Sequence, residues 1–200
     1  MNRVIDRSQG LTYLRLSLEN LDQGQQQQKA HDLLRRHKDR LTSLHMTGYY
    51  FIDSYLSGFA NNSPRDAFPA LEEFFAESTS HFMFDNRAVK SMVSAPQHQQ
   101  TPLKVLGLKI LYYAYQWEEV IRAIDLSALE ELHFYYHSYM YGFSERQLQI
   151  LVDRIMGSDA SSLPLRLLSI DGQLPGDGVI ARELFVRLRE AIPNIEIKII

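Results

Sequence analysis

Apolar residues recur along this chain in a short motif: an apolar residue, two of any kind, a second apolar residue, one of any kind, and a third apolar residue. The motif is clearest at Leu165, Leu168 and Ile170. It recurs as Leu11-Leu14-Leu16, Leu41-Leu44-Met46, Leu71-Phe74-Ala76, Leu103-Leu106-Leu108, Leu129-Leu132-Phe134 and Ile192-Ile195-Ile197. Successive first positions lie 30, 30, 32, 26, 36 and 27 residues apart. A single motif means little, because helices also place apolar residues three apart. Seven at near-constant spacing mark an internal repeat. An irregular α/β domain with scattered strands leaves that spacing unexplained. Within each motif the fourth and sixth positions are apolar and the third, fifth and seventh are mixed, the alternation of a strand with one buried face.

The intervals between motifs read as helices. Gln25 to Arg40 puts Ala30, Leu33, Leu34 and His37 on one face, and Tyr50 to Ala60 does the same with Phe51, Ile52, Tyr55, Leu56 and Phe59 before Asn61-Asn62-Ser63-Pro64 stops it. Asn86 to Val93 allows at most a short helix, followed by Pro96 and a glutamine-rich loop. Trp117, Val120, Ile121 and Ile124 form the buried stripe of a compact helix. Ser144 with Gln147 three residues on spells a capping box. The helix it opens carries Leu148, Leu151, Val152 and Ile155 and ends at Gly157, a residue suited to the C′ position. The last helix starts near Asp177 and is expected to bury Ile180, Leu184, Phe185 and Leu188. Strand and helix alternate throughout, which predicts an α/β fold with a parallel sheet and helices along its outer side. Gln25 to Gln28, with Gln97, Gln99 and Gln100, reads as low-complexity decoration of surface loops.

Composition narrows the function classes. Apolar residues make up 45% of the 200, enough for a sizeable core, and cysteine is absent. Disulfide frameworks, thiolate metal sites and cysteine nucleophiles are thereby excluded. A net charge of −3 gives no basic footprint for nucleic acid. Met1 to Gly10 has no apolar core of a signal peptide, and no window approaches a membrane span. A cytoplasmic or nuclear location is expected, with no membrane contact.

In its motif and spacing the chain resembles leucine-rich repeat proteins of the long, ribonuclease-inhibitor-like class. The resemblance runs from Leu11 to Ile197 and is best matched in the repeat opened by Leu165, where Leu174, Gly178, Leu184 and Leu188 also fit the family pattern. It implies a solenoid bent into a horseshoe, parallel strands on the concave face and helices on the convex face, with residues 1–200 forming one array of about six to seven repeats. The Asn or Cys that the family places eight residues after the first Leu is replaced by Glu19, Tyr49, Thr79, Leu111, His137 and Gln173, so no regular polar ladder is expected there. Both ends lack a polar cap, which solenoids need for solubility. The chain is therefore expected to be a section of a longer solenoid, or to associate through its uncapped ends.

If the fourth and sixth positions point into the core, the third, fifth and seventh face a partner. Those positions supply the candidate binding residues: Tyr13 and Arg15, His45, Glu73 and Phe75, Lys109, Glu131, His133 and Tyr135, Ser169 and Asp171. As a mixed, aromatic-bearing set on one sheet they favour protein recognition. A second aromatic concentration follows the strands, at Tyr49-Tyr50-Phe51, His81 to Phe84, Tyr112, Tyr113, Tyr115 and Tyr135 to Tyr139, mostly as core under loops. Catalysis finds no support. His133 and His137 would sit roughly 13 Å apart on a strand, and His45 and His133 lie on non-adjacent repeats. No nucleophile with an orienting partner is evident. Asp171 to Gly178 lacks the carboxylates of a calcium loop, and Gly172, Gly176 and Gly178 lack phosphate-loop spacing. No cofactor or metal is expected.

What the resemblance implies for function is a protein-recognition module. Repeats of this class often form the substrate-receiving part of F-box proteins in ubiquitin ligases, many of them fungal. Nothing in residues 1–10 matches an F-box. Two other roles of similar architecture are an enzyme-regulatory scaffold, inhibitory or GTPase-activating, and the sensor region of a nucleotide-binding receptor.

Overall fold

The computed structural model describes residues 10–17, 25–48, 56, 58, 64–78, 87–95, 101–110, 114–136, 144–157, 159–171 and 178–200. Seven strands form a single parallel sheet in chain order: β1 (Tyr13–Ser17), β2 (Ser43–Gly48), β3 (Glu73–Ser78), β4 (Val105–Ile110), β5 (Glu131–Tyr136), β6 (Leu167–Asp171) and β7 (Glu196–Ile199). Five helices are described: α1 (Gln25–His37), α2 (Arg87–Val93), α3 (Ala114–Ala123), α4 (Glu145–Met156) and α5 (Val179–Ala191). The arrangement is α/β and repeat-like. Each described helix lies in the chain between two adjacent strands, and α2 to α5 pack side by side in succession.

The strands exist because their alternate apolar positions share one depth. Leu14, Leu44, Phe74, Leu106, Leu132, Leu168 and Ile197 align across the sheet, and so do Leu16, Met46, Ala76, Leu108, Phe134, Ile170 and Ile199. From β2 to β6 both columns are buried in one core with Leu34, Met92, Val120, Ile121, Leu148, Leu151, Leu184 and Leu188 from the helices. The sheet entry is equally regular. Just before each of β1 to β5, one backbone carbonyl accepts two amides at the entry to the next strand. Thr12 accepts from Thr42 and Ser43, Thr42 from Glu72 and Glu73, Glu72 from Lys104 and Val105, Lys104 from Glu130 and Glu131, and Glu130 from Arg166 and Leu167. A carbonyl has two lone pairs, so one acceptor satisfies both donors that enter the strand.

The helices follow the expected faces with three corrections. α4 is opened by the capping box: Ser144 Oγ accepts the Gln147 amide at 3.1 Å, and Gln147 Oε1 accepts the Ser144 amide at 3.0 Å. Gly157 follows α4, but in the right-handed region (φ −74°), with its amide bonded to Asp153 O. It is thus not a left-handed C′ residue. In α5 the buried face is Ala181, Leu184, Phe185 and Leu188, while Ile180 is 40% exposed. Ala181, fully buried, takes the core position expected of Ile180. The glutamine run belongs to α1 rather than to a loop, and Gln28 Nε2 donates to Asp32 Oδ1 one turn on at 2.8 Å. Arg35 and Arg36 lie in the last turn of this helix, where positive charge interacts favourably with the negative end of the helix dipole.

The seventh motif is also displaced. β7 pairs Leu168 with Ile197 and Ile170 with Ile199, so its strand register lies two residues beyond Ile192-Ile195-Ile197. Ile192 and Ile195 instead bury themselves in the turn between α5 and β7, where Ile192 N donates to Leu188 O and Ile195 N to Ile192 O. Asn194 falls in that turn rather than on the sheet face. Of the helix expected over residues 50–60, Leu56 is described and buried. Gly58 is described as an exposed turn residue, and the rest of that span lies outside the described residues, as do Gln97, Gln99 and Gln100, residues 172–177 and the six residues that replace the family's Asn or Cys.

One structural residue has no counterpart in the sequence reading. Arg65, in the 3-10 turn Pro64–Ala67, is 1% exposed. Its guanidinium donates to Phe68 O and Leu71 O at 3.0 Å and to Thr101 O, tying the approach to β3 to the approach to β4. Burial pushes its pKa down, opposed by the carboxylates of Asp66 and Asp125.

Two substitutions test this core in urea denaturation. Leu132→Ala should cost about 2–5 kcal/mol, because its 0% exposed side chain leaves a cavity between two columns. Arg65→Met keeps much of the volume and removes the donors; the orphaned carbonyls should cost about 2–4 kcal/mol. An unchanged midpoint for Arg65→Met would show that those carbonyls find other partners.

Candidate functional site

The third, fifth and seventh positions of the motif form three rows across the sheet on the side away from the helices. Tyr13, Ser43, Glu73, Val105, Glu131, Leu167 and Glu196 make the first. Arg15, His45, Phe75, Gly107, His133, Ser169 and Lys198 make the second. The third runs Ser17, Thr47, Glu77, Lys109, Tyr135 and Asp171.

These rows are a packed layer rather than a set of separate exposed groups. Phe75 is its centre. Its ring lies over Gly107 on the adjacent strand, where an added Cβ would meet Phe75 Cδ1 and Cε1, the latter at 2.6 Å. Gly107 has no positive φ, so space rather than backbone conformation requires glycine there. On one side the Phe75 ring contacts His45, with centroids 5.3 Å apart. On the other it reaches across the gap at Gly107 to His133 at 6.2 Å, and His133 stacks on Tyr135 at 6.1 Å with planes only 4° apart. His45 and His133, on strands that are not neighbours, are thus joined through one phenyl ring.

Carboxylates hold both imidazoles. Glu77 Oε1 lies 2.8 Å from His45 Nε2, and Glu131 Oε2 lies 3.3 Å from His133 Nε2. Glu77 also faces Lys109 Nζ at 3.8 Å, and Glu131 accepts from Arg166 at 2.8 Å. The layer is half-buried: the side chains of His45 and His133 are 15% exposed and those of Glu77 and Glu131 26%. Tyr135 feels the result. Burial first, then the charges of Glu77, Asp171 and Glu131, push its phenol pKa up.

Of the residues that the sequence marks for binding, His45, Phe75, Lys109, Glu131, His133 and Tyr135 come together in this layer, with Glu73 and Asp171 beside it. Tyr13 and Arg15 stand apart on the edge strand β1, exposed. Ser169 is 3% exposed and offers no open surface. Glu77 and Arg166 were not singled out, although Glu77 occupies a seventh position and so was open to the same argument. Arg166 lies just before β6 and reaches the face only through the length of its side chain. Of the aromatic concentration after the strands, only Tyr135 has a described side chain.

Among the described residues no hydroxyl or thiol is hydrogen-bonded to His45 or His133, and no group of three His, Asp or Glu is placed to hold a metal ion. No helix among them is long and apolar enough to cross a membrane. No protein-family model matches the chain, and no curated protein matches it in sequence.

The Phe75–Gly107 contact can be tested by a double-mutant cycle in urea. Gly107→Ala should cost about 1–3 kcal/mol through overpacking. In a Phe75→Ala background the same change should cost much less, a coupling of about 1 kcal/mol or more. Tyr13→Ala, at the 54% exposed edge, should stay within about 0.5 kcal/mol. Additivity of the two changes would mean that the ring does not rest on Gly107.

Proposed function

We propose that this chain is a leucine-rich repeat solenoid and that its outward sheet face is a protein-docking surface. The repeat reading rests on the motif spacing together with the parallel, sequentially ordered strands. In that reading the sheet bends into the concave side of a horseshoe and the helices form the convex side. The observation that carries the docking role is the ordered layer His45–Phe75–His133–Tyr135. Aromatic side chains already held by their neighbours lose little conformational freedom when a partner covers them. Such preorganised aromatic groups, ringed by polar side chains, are the usual anchors of protein interfaces.

Two measurements test the reading. Small-angle scattering should give a radius of gyration above the roughly 16–17 Å of a compact 200-residue globule; a value at the compact limit counts against the arc. For docking, photocrosslinking side chains can be placed at position 135 on the sheet and at position 186 on α5, where Val186 is exposed. Position 135 should crosslink a discrete protein in the native cell extract, and Tyr135→Ala should abolish that protein's co-purification. A partner crosslinked from position 186, and still retained by the Tyr135→Ala variant, would move the docking surface to the helices.

A further inference from the structure

We infer that the β3–β6 part of this face docks an extended basic segment of a partner protein, with an arginine side chain laid against Tyr135 and His133. The inference rests on the docking role proposed above and specifies its chemistry. Within β2 to β6 the outward positions carry four carboxylates, Glu73, Glu77, Glu131 and Asp171, against one ammonium, Lys109. Lys109 is engaged by Glu77, and Arg166 approaches Glu131 from outside the strand. Glu73 and Asp171 have no ion-pair partner among the described residues.

The carboxylates frame the rings. Asp171 is the direct strand neighbour of Tyr135 on β6, and Glu131 lies two residues before His133 on the same face of β5. A cation beside the His133–Tyr135 pair would therefore meet aromatic rings and carboxylates together. Ring quadrupoles attract cations, and planar guanidinium stacks on rings while forking to a carboxylate, which an ammonium cannot do as well. The strand spacing of about 4.8 Å sets Glu77 and Asp171 roughly 14 Å apart, about the span of four or five residues of extended chain. That span suits a segment carrying basic residues a few positions apart. An acidic segment or a polyanion would meet the same carboxylates as repulsion.

Fluorescence anisotropy with three labelled octapeptides, alike except for two Arg, two Lys or two Glu residues four positions apart, tests this on the intact chain. The Arg peptide should bind tightest and the Glu peptide not at all, with binding weakened as salt rises from about 50 to 300 mM. Asp171→Asn, Glu131→Gln and Tyr135→Leu should each weaken the Arg peptide about fivefold to thirtyfold. Lys109→Gln, which removes the one ammonium, should tighten it about twofold to fivefold, a gain that misfolding cannot produce. Glu183→Gln on the exposed side of α5 should change nothing. Equal or tighter binding of the Glu peptide, or a Lys109→Gln variant that binds more weakly, overturns the basic-segment reading. If position 135 still crosslinks its partner in that case, the docking face stands and only its charge preference falls. If neither peptides nor partner engage the face, both readings fall.

Discussion

Every strand of this sheet is too short to be stable alone, so the structure depends on keeping the seven described strands in one register. The side-chain period of a strand is two, and a slip by one residue would send Leu44, Phe74, Leu106 and Leu132 to the outward face together. Two devices oppose that slip. The apolar columns lose their burial if any strand moves, and the repeated carbonyl that accepts two amides fixes where each strand begins. Because that acceptor recurs from Thr12 to Glu130, the register is set before the strand starts rather than only along it.

The same dependence explains what could be read from the sequence. Six motifs were placed correctly because apolar positions four and six are required by the columns, and nothing else in a short strand mimics them. The seventh was misplaced because Ile192, Ile195, Ile197 and Ile199 supply overlapping apolar sets. A two-residue shift preserves parity, so the faces of Glu196 and Lys198 stayed right while Asn194 left the sheet. Arg65 could not be found by pattern. A charged residue after a proline reads as a solvated turn, and its burial depends on three carbonyls brought together by segments 36 residues apart in sequence. The outward residues were legible as a set, but not their mutual packing. Phe at the fifth position of one repeat and Gly at the fifth of the next were both visible; that the ring would fill the space follows only once the strands are known to be adjacent.

That filled space matters for the face as a whole. An aromatic ring lying flat on a sheet is partly desolvated before any partner arrives, and it desolvates its neighbours too. Within this layer, Glu77 lies 2.8 Å from His45 Nε2 and Glu131 3.3 Å from His133 Nε2, with all four side chains at most 26% exposed. Their partial burial keeps both imidazoles and both carboxylates in fixed places. A surface whose polar groups are already oriented discriminates between partners better than one whose side chains must be ordered on binding.

The far edge shows how much each repeat owes to the next. Leu168 and Ile170 on β6 are fully buried, while their column neighbours Ile197 and Ile199 on β7 are half-buried and 49% exposed. The residue types are nearly the same, and the strand register is the same. β6 lies between two strands and β7 at an edge, although an edge by itself does not prevent burial, since Leu14 on the edge strand β1 is 7% exposed. Complete burial of a large aliphatic side chain is worth about 1.5–3 kcal/mol, so half-burial of two of them leaves a few kcal/mol unrealised in the last repeat. Stability in this chain is therefore a property of neighbouring pairs, and the best-supported repeats are the central ones. The His45–Phe75–His133–Tyr135 layer spans β2 to β5, within that stretch.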